Sequence, residues 1–150
     1  MEIVINKCFG GFGLSTLAIS KLLERKGIKS YCYKQIKFEF SDGKDEFIKV
    51  APTKNSSMCE YILLKDYGDS INGLPWEDKT ESGECVEKYF SSYDTDRTDP
   101  DLIAIVKELG TDASSSCSSL GIVNIPDHIK WEISDYDGLE SVEEKHRSWS

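Results

Sequence analysis

The chain has 150 residues, a hydrophobic fraction of 39% and a net charge of −9 at pH 7. This length suits one domain with one core, so we expect a single α+β domain over residues 1–150. The negative charge argues against binding to a nucleic acid polymer or to an anionic membrane, because both surfaces require a basic face on the protein.

The five cysteines are scattered along the chain, and no two stand at CxxC spacing. An odd number and wide spacing favour free thiols in a reducing compartment over disulfides or a zinc site. The N-terminus lacks the features of a secretory signal, and no apolar run approaches the roughly 20 residues of a membrane helix. We therefore expect a cytoplasmic protein with no metal and no cofactor.

The charge is divided unevenly along the chain. Residues 1–75 carry a net charge of +2 and residues 76–150 a net charge of −11. An anionic small ligand would fit the N-terminal half better. The acidic half is interpreted either as a solvated surface or as a face for a basic protein partner.

The chain opens with a pattern of strand, glycine-rich turn and helix. Residues 2–6 form an apolar run typical of a buried strand. Ser15 is a suitable N-cap for a helix that we expect to continue to about residue 26 and to end at Gly27.

The middle of the chain predicts strands joined by one long loop. Residues 31–40 alternate aromatic and polar side chains, with an interruption near Gln35 that indicates a bulge. This strand fits a dimer edge and a central strand equally well, so a homo-oligomer stays open. Further strands are expected at 47–50 and 58–65, and residues 66–83 read as a long loop.

The C-terminal third begins with the clearest helix. Asp99 as N-cap and Pro100 at the first position predict a helix that ends at Gly110. Short strands are expected at 122–125 and 130–134, and residues 139–149 as a short polar helix or an ordered tail. The prediction is thus a mixed or antiparallel sheet with two to four helices.

The first candidate site is the glycine-rich turn. Its glycines let backbone N–H groups approach a ligand, and the N-terminus of a helix attracts an anion. The pattern is neither a Walker A motif nor GxGxxG, and a tight turn with its phenylalanines in the core is the alternative interpretation. The predicted ligand-binding residues are Asn6, Lys7, Phe9, Gly10, Gly11, Phe12, Gly13 and Ser15.

Two further segments carry cations. Arg97 stands just before a helix, where it would clamp a phosphate or make an ion pair with a nearby aspartate, Asp94, Asp96 or Asp99. At the C-terminus, His146, Arg147 and Trp149 would bind phosphate and stack on a base if this tail docks on the protein.

Catalysis has weaker support. Cys8 beside the turn as nucleophile, with His146 as base, is the one arrangement that the residues suggest. His128 follows a proline and an aspartate in a turn and is expected to be exposed. No HExxH, EF-hand or paired-carboxylate spacing predicts a metal site.

The segments Ile5–Ser15, Asp96–Pro100 and Tyr136–Trp149, with their INKCFGGFGLS and EKHRSW sequences, resemble a family of small bacteriophage proteins of uncharacterised activity. The resemblance covers about the first 27 and the last 55 residues and supplies no catalytic residues. It implies an anti-defence protein in the host cytoplasm, since some phage proteins sequester cyclic nucleotides or ADP-ribose derivatives made by host immune enzymes.

Three functions follow from these observations. The first is a non-catalytic protein that binds and sequesters a small phosphorylated, nucleotide-like ligand. The second is an acidic inhibitor module that binds a host protein, and the third is a nucleotide hydrolase or transferase.

Overall fold

The computed structural model describes residues 1–37, 46–54, 60–73 and 95–145. Within these ranges the chain is mostly antiparallel strand with two helices. In chain order the elements are β1 (Glu2–Asn6), α1 (Thr16–Arg25), β2 (Tyr31–Lys37), β3 (Glu46–Val50), β4 (Glu60–Leu63), β5 (Ser70–Asn72), α2 (Pro100–Leu109), a 3₁₀ turn (Gly110–Ala113), β6 (Leu120–Asn124), β7 (Trp131–Tyr136) and β8 (Leu139–Glu144). The expectation of a mixed α and β protein is confirmed at this level.

The strands form three antiparallel groups. β1 pairs with β6, β7 pairs with β8 in a hairpin, and four strands lie in the order β4-β2-β3-β5. β2 is therefore an interior strand, and its aromatic side chains are explained without a dimer edge. The predicted bulge is confirmed, because the β2–β3 register shifts between Gln35 and Lys37.

Both helices begin where the capping residues predict. The Ser15 hydroxyl accepts a hydrogen bond from the Ala18 N–H at 3.1 Å, and the Asp99 carboxylate accepts one from the Asp101 N–H at 2.9 Å. These side chains satisfy N–H groups that the first helical turn leaves without a partner. α1 and α2 then pack against each other as an antiparallel pair, with Lys26 at the end of α1 beside Asp99 at the start of α2, and α2 also packs against β1.

The buried apolar residues form two clusters. The larger one lies between the helices and the strands β1, β2 and β4, and includes Ile19, Leu22 and Leu102. The smaller one, which we call the Tyr33 cluster, consists of Tyr33, Phe47 and Leu63.

Two predictions of secondary structure are wrong. Leu139 to Glu144 form a strand and not a helix, because they pair with β7 across the turn at 137–138. Leu139 and Val142 stand three residues apart, a spacing that favours a helix, and the pairing with the adjacent strand β7 overrides it. Ser70 to Asn72 form β5 against β3, inside the range expected to be a long loop. The ambiguous residues 84–93 lie outside the described residues.

Among the described residues, no helix is both long and apolar enough to cross a membrane.

Candidate functional site

The edge of β1 that does not pair with β6 is covered by Arg97 and by the Glu140 side chain and forms no hydrogen-bonded ladder with another strand of the described residues. β6 occupies one edge, and Val4 and Asn6 direct their backbone groups toward the other. There Val4 N–H donates to the Arg97 carbonyl at 2.9 Å, and Arg97 Nη1 donates to the Val4 carbonyl at 3.2 Å. The Asn6 N–H donates to Glu140 Oε1 at 2.8 Å. Backbone groups that would otherwise be buried without partners are thereby satisfied.

Arg97 and Glu140 form a bidentate ion pair beneath the glycine-rich turn. Nη1 lies 2.7 Å from Oε1 and Nη2 lies 2.9 Å from Oε2, and both side chains are buried. The Arg97 guanidinium carbon lies 3.6 Å from the centre of the Phe12 ring. Burying two charges carries a large desolvation penalty, which close bidentate geometry and further hydrogen bonds offset. The pair therefore fixes the position of the turn above it.

Asn6 connects three separate loops at the end of β1. Its Nδ2 donates to the carbonyls of Cys8 and Gly138, both at 2.7 Å, and its Oδ1 accepts from the Ser119 N–H at 2.8 Å. The residue is fully buried. A buried amide with donors and acceptor all satisfied specifies one arrangement of its neighbours, because any shift leaves a polar group unpaired.

Two glycines allow the loops to touch through their backbones. A Cβ on Gly10 would lie 1.7 Å from the Cys117 carbonyl oxygen, and a Cβ on Gly138, at φ +90°, would lie 2.6 Å from the Gly11 nitrogen. No side chain fits at either position. We call this contact between residues 6–13, 115–119 and 137–140, together with Arg97, the turn junction.

The outer rim of the turn junction is exposed. Phe9 has 62% of its surface exposed and Tyr136, at the tip of the β7–β8 hairpin, has 76%. Lys7 is exposed and its stem lies along β6, where a Cβ on Gly121 would be 2.5 Å from Lys7 Cε. In the part of the chain that the structure describes, no hydrogen bond uses the N–H of Phe9 or Gly10. The rim thus offers N–H donors, one cation and two aromatic rings.

The N-terminus of α1 is closed by protein groups, contrary to the expectation of an anion site there. Ser15 is buried; its N–H donates to the Ala113 carbonyl at 2.9 Å and its hydroxyl donates to the Asp112 carbonyl at 2.7 Å. The Leu17 N–H donates to the Thr53 carbonyl at 3.1 Å. These groups at the start of α1 are therefore already engaged by protein partners.

The structure brings together nine of the predicted site residues. Asn6 to Gly13 form the turn, Ser15 lies behind it, and Arg97 lies beneath it with Glu140 as an ion-pair partner. The remaining three, His146, Arg147 and Trp149, lie outside the described residues. Of the three aspartates expected to pair with Arg97, Asp94 lies outside the described residues. The last described residue, Lys145, bonds Lys130 at the end of the hairpin remote from Gly138, about 20 Å along the strand.

Sequence reasoning missed Glu140, Tyr136 and Cys117. Glu140 is one of many acidic residues in the C-terminal half, and only its position opposite Arg97 in the fold distinguishes it. Tyr136 and Gly138 belong to the turn of the β7–β8 hairpin, whose contact with the glycine-rich turn spans more than 120 residues of sequence. His128 is exposed in a turn, as predicted.

Three thiols differ sharply in environment. Cys32 is buried, and burial raises the pKa of its thiol to about 11, so this thiol stays protonated at neutral pH. Cys8 is half-buried and Cys117 is exposed, and all three are free. Within the described ranges, no group of three or more histidine, cysteine or acidic side chains is arranged to hold a metal ion.

A separate surface cleft lies at the other end of α1, lined by its last turns and by residues 27–31. It is lined by one negatively charged residue, Glu24, and one positively charged residue, Lys29, so its net charge is zero. This cleft shares no residue with the turn junction.

Comparison of the chain with models of known protein families, with curated proteins and with solved structures finds no match. The functional argument therefore depends on the geometry of the site.

Proposed function

We propose that the rim of the turn junction binds a small phosphorylated, nucleotide-type ligand and sequesters it without turnover. The observation that carries this proposal is the exposed Phe9–Gly10 segment, whose N–H groups have no protein partner among the described residues and which is held in place from beneath.

The buried contacts beneath the glycine-rich turn favour the interpretation that this turn is a binding site and not only a link between β1 and α1. A loop between a strand and a helix does not need a buried ion pair and a buried amide to hold it. Binding sites do need such support, because a preorganised site loses less entropy when the ligand arrives. Arg97 and Glu140 accordingly act as positioning residues.

The exposed groups suit a ligand that combines negative charge with a planar ring. The N–H groups of Phe9 and Gly10 favour a phosphate, because backbone donors stabilise an anion, and the exposed Lys7 adds a positive charge two residues before Phe9 in the sequence. Phe9 and Tyr136 offer ring faces on which a base stacks. Cyclic nucleotides and ADP-ribose derivatives have both features, and they are the ligands that the phage-type termini imply.

A thermal-shift screen with nucleotides, cyclic dinucleotides and ADP-ribose derivatives tests this proposal. A ligand at about 100 times its Kd adds about 2.7 kcal/mol to the free energy of unfolding. For a chain of this length, each kcal/mol raises Tm by roughly 2–4 °C. We therefore expect one ligand class to raise Tm by roughly 5–10 °C.

The matched variants are Phe9→Ala and Ile36→Ala. Both remove an exposed apolar side chain, but Ile36 lies on β2, in the four-stranded sheet. We expect Phe9→Ala and Lys7→Ala to abolish the ligand shift and Ile36→Ala to keep it. Equal shifts in all three variants would place the ligand elsewhere, and a flat panel would reject the proposed ligand classes.

The outer face of the β7–β8 hairpin favours a second candidate function, an acidic module that binds a basic protein. The register places Glu132 directly opposite Glu143, and both are exposed on the face opposite to Glu140. Like charges directly opposite each other destabilise a hairpin, and a basic partner would relieve this repulsion.

A pull-down from bacterial lysate at low and high salt tests this second function. We expect a basic protein to be retained at low salt and released at high salt, and to be lost in the variant Glu132→Gln/Glu143→Gln. The variant Glu2→Gln, on β1, is the control for a general change in net charge. If the variant Glu132→Gln/Glu143→Gln still retained the basic protein, the outer face of the hairpin would not be its binding site.

A further inference from the structure

Two cysteines from distant parts of the sequence meet at the turn junction. The Cys8 thiol lies 3.4 Å from the Cys117 carbonyl oxygen. Two residues further on, a Cβ on Gly10 would lie 3.2 Å from the Cys117 Cα. The backbones on either side of the two cysteines are thus in direct contact. A disulfide needs Cα atoms about 4.4–6.8 Å apart, and the Cys8 sulfur already lies in contact with the backbone of Cys117.

Both thiols are accessible to a small oxidant. Cys117 is exposed in the loop 115–119 and Cys8 is half-buried at the rim. The Cys8 thiol is also held 3.3 Å from Asn6 Oδ1, which keeps its sulfur on the side of the turn that faces residues 117–119. Cys32 is buried under α1 and shares none of these contacts.

We propose that Cys8 and Cys117 form a reversible disulfide that ties the glycine-rich turn to the loop 115–119. With a small-molecule disulfide as oxidant, the exposed Cys117 thiolate attacks one sulfur of that oxidant, forms a mixed disulfide and releases the first thiol. The Cys8 thiolate then attacks the Cys117 sulfur and releases the second thiol. Two protein thiols are oxidised, one disulfide of the reagent is reduced, and the two protons pass to the released thiols.

The cross-link would reduce the freedom of the unfolded chain. It closes a loop between residues that are 109 positions apart, and long loops give the larger stabilisation in the chain-entropy model. A native-like disulfide should therefore raise Tm by several degrees, whereas a strained one would lower it. The inference does not depend on the ligand proposed above, because thiol pairing is read directly.

The experiment treats the folded, full-length protein with oxidised glutathione, quenches with acid, blocks the remaining thiols and maps the peptides by mass spectrometry. The background carries Cys59→Ser and Cys85→Ser, so that three cysteines remain. We expect one cross-linked peptide pair joining Cys8 to Cys117, its loss after dithiothreitol, and a higher Tm before reduction.

The single variants separate pairing from mere reactivity. In Cys8→Ser, Cys117 should keep one glutathione as a stable mixed disulfide, because no second thiol resolves it. In Cys117→Ser, oxidation of Cys8 should slow markedly, since the entry thiol is missing. A map of the three-cysteine protein in which Cys8 and Cys117 are never joined, or in which either joins Cys32, would overturn the proposal.

Discussion

The turn junction and the Tyr33 cluster both bury large side chains, yet different forces hold them. At the junction the buried groups are Asn6, Arg97 and Glu140, and their contacts are hydrogen bonds and an ion pair. In the Tyr33 cluster they are aromatic and aliphatic, with an edge-on contact between the Phe47 and Tyr61 rings.

The difference predicts different tolerance to substitution. Apolar packing is not directional, so a side chain of similar volume replaces another with small loss. Hydrogen bonds and ion pairs are directional, and removing one partner leaves the other buried and unpaired. The junction is therefore expected to define one backbone arrangement, and the apolar packing of Phe47 and Leu63 in the Tyr33 cluster to supply stability that survives repacking.

The largest expected effect is that of Glu140→Gln. This change keeps the size of the side chain but leaves the buried Arg97 guanidinium without its counter-charge, and we expect a loss of about 3–5 kcal/mol in the free energy of unfolding. Urea unfolding followed by circular dichroism measures it.

The matched control for this change is Glu2→Gln. Glu2 pairs with Lys107 at 2.7 Å, also beside β1, but this pair is exposed. We expect a loss of at most about 1 kcal/mol there. Similar losses in the two variants would mean that burial of the Arg97–Glu140 pair contributes nothing special, and the comparison between the two regions would fail.

Gly10→Ala tests the backbone contact of the junction. The added methyl group would meet the Cys117 carbonyl oxygen, so a loop must move, and we expect a loss of about 3 kcal/mol. Gly27→Ala is the control: it also strains the backbone, at φ +77°, but its Cβ meets nothing within 4 Å. There we expect about 1 kcal/mol. Thermal unfolding measures the loss of stability in each variant. Equal losses in Gly10→Ala and Gly27→Ala would contradict the close approach of Gly10 to the Cys117 carbonyl.

Leu63→Met sharpens the other side of the comparison. Leu63 is buried in the Tyr33 cluster beside Tyr33 and Phe47, and methionine has nearly the same volume with more flexibility. We expect a loss below about 1.5 kcal/mol. A loss as large as that of Glu140→Gln would show that the apolar cluster is as specific as the polar junction.

The same contrast explains which features the sequence could predict. The caps Ser15 and Asp99 and the bulge after Gln35 are local, and local chemistry decides them. The role of Glu140 is not local, because the ion pair joins residues 43 positions apart and depends on how β8 lies beside β1. Strand pairing likewise decides that Leu139–Glu144 is β8, although the spacing of three residues between Leu139 and Val142 favours a helix.

The smallest expected effect concerns acid stability where the end of α1 meets the start of α2. The Lys26 ammonium hydrogen-bonds Asp101 and lowers the pKa of that carboxylate below its usual value of 3.8. A lowered folded-state pKa gives stability that is complete above the unfolded value and is lost as the pH falls through the folded one. Asp101→Asn should therefore be less stable than wild type at pH 6, and the difference should shrink below pH 3.8. Urea midpoints of both proteins, measured from pH 6 down to pH 2.5, test this prediction. A stability difference that does not change with pH would exclude a contribution from the lowered pKa of Asp101.

Because Asp101 lies on the surface, its loss should be the smallest of the four variants Glu140→Gln, Gly10→Ala, Leu63→Met and Asp101→Asn. This order is the one expected if the buried polar contacts of the turn junction are more specific than a surface ion pair.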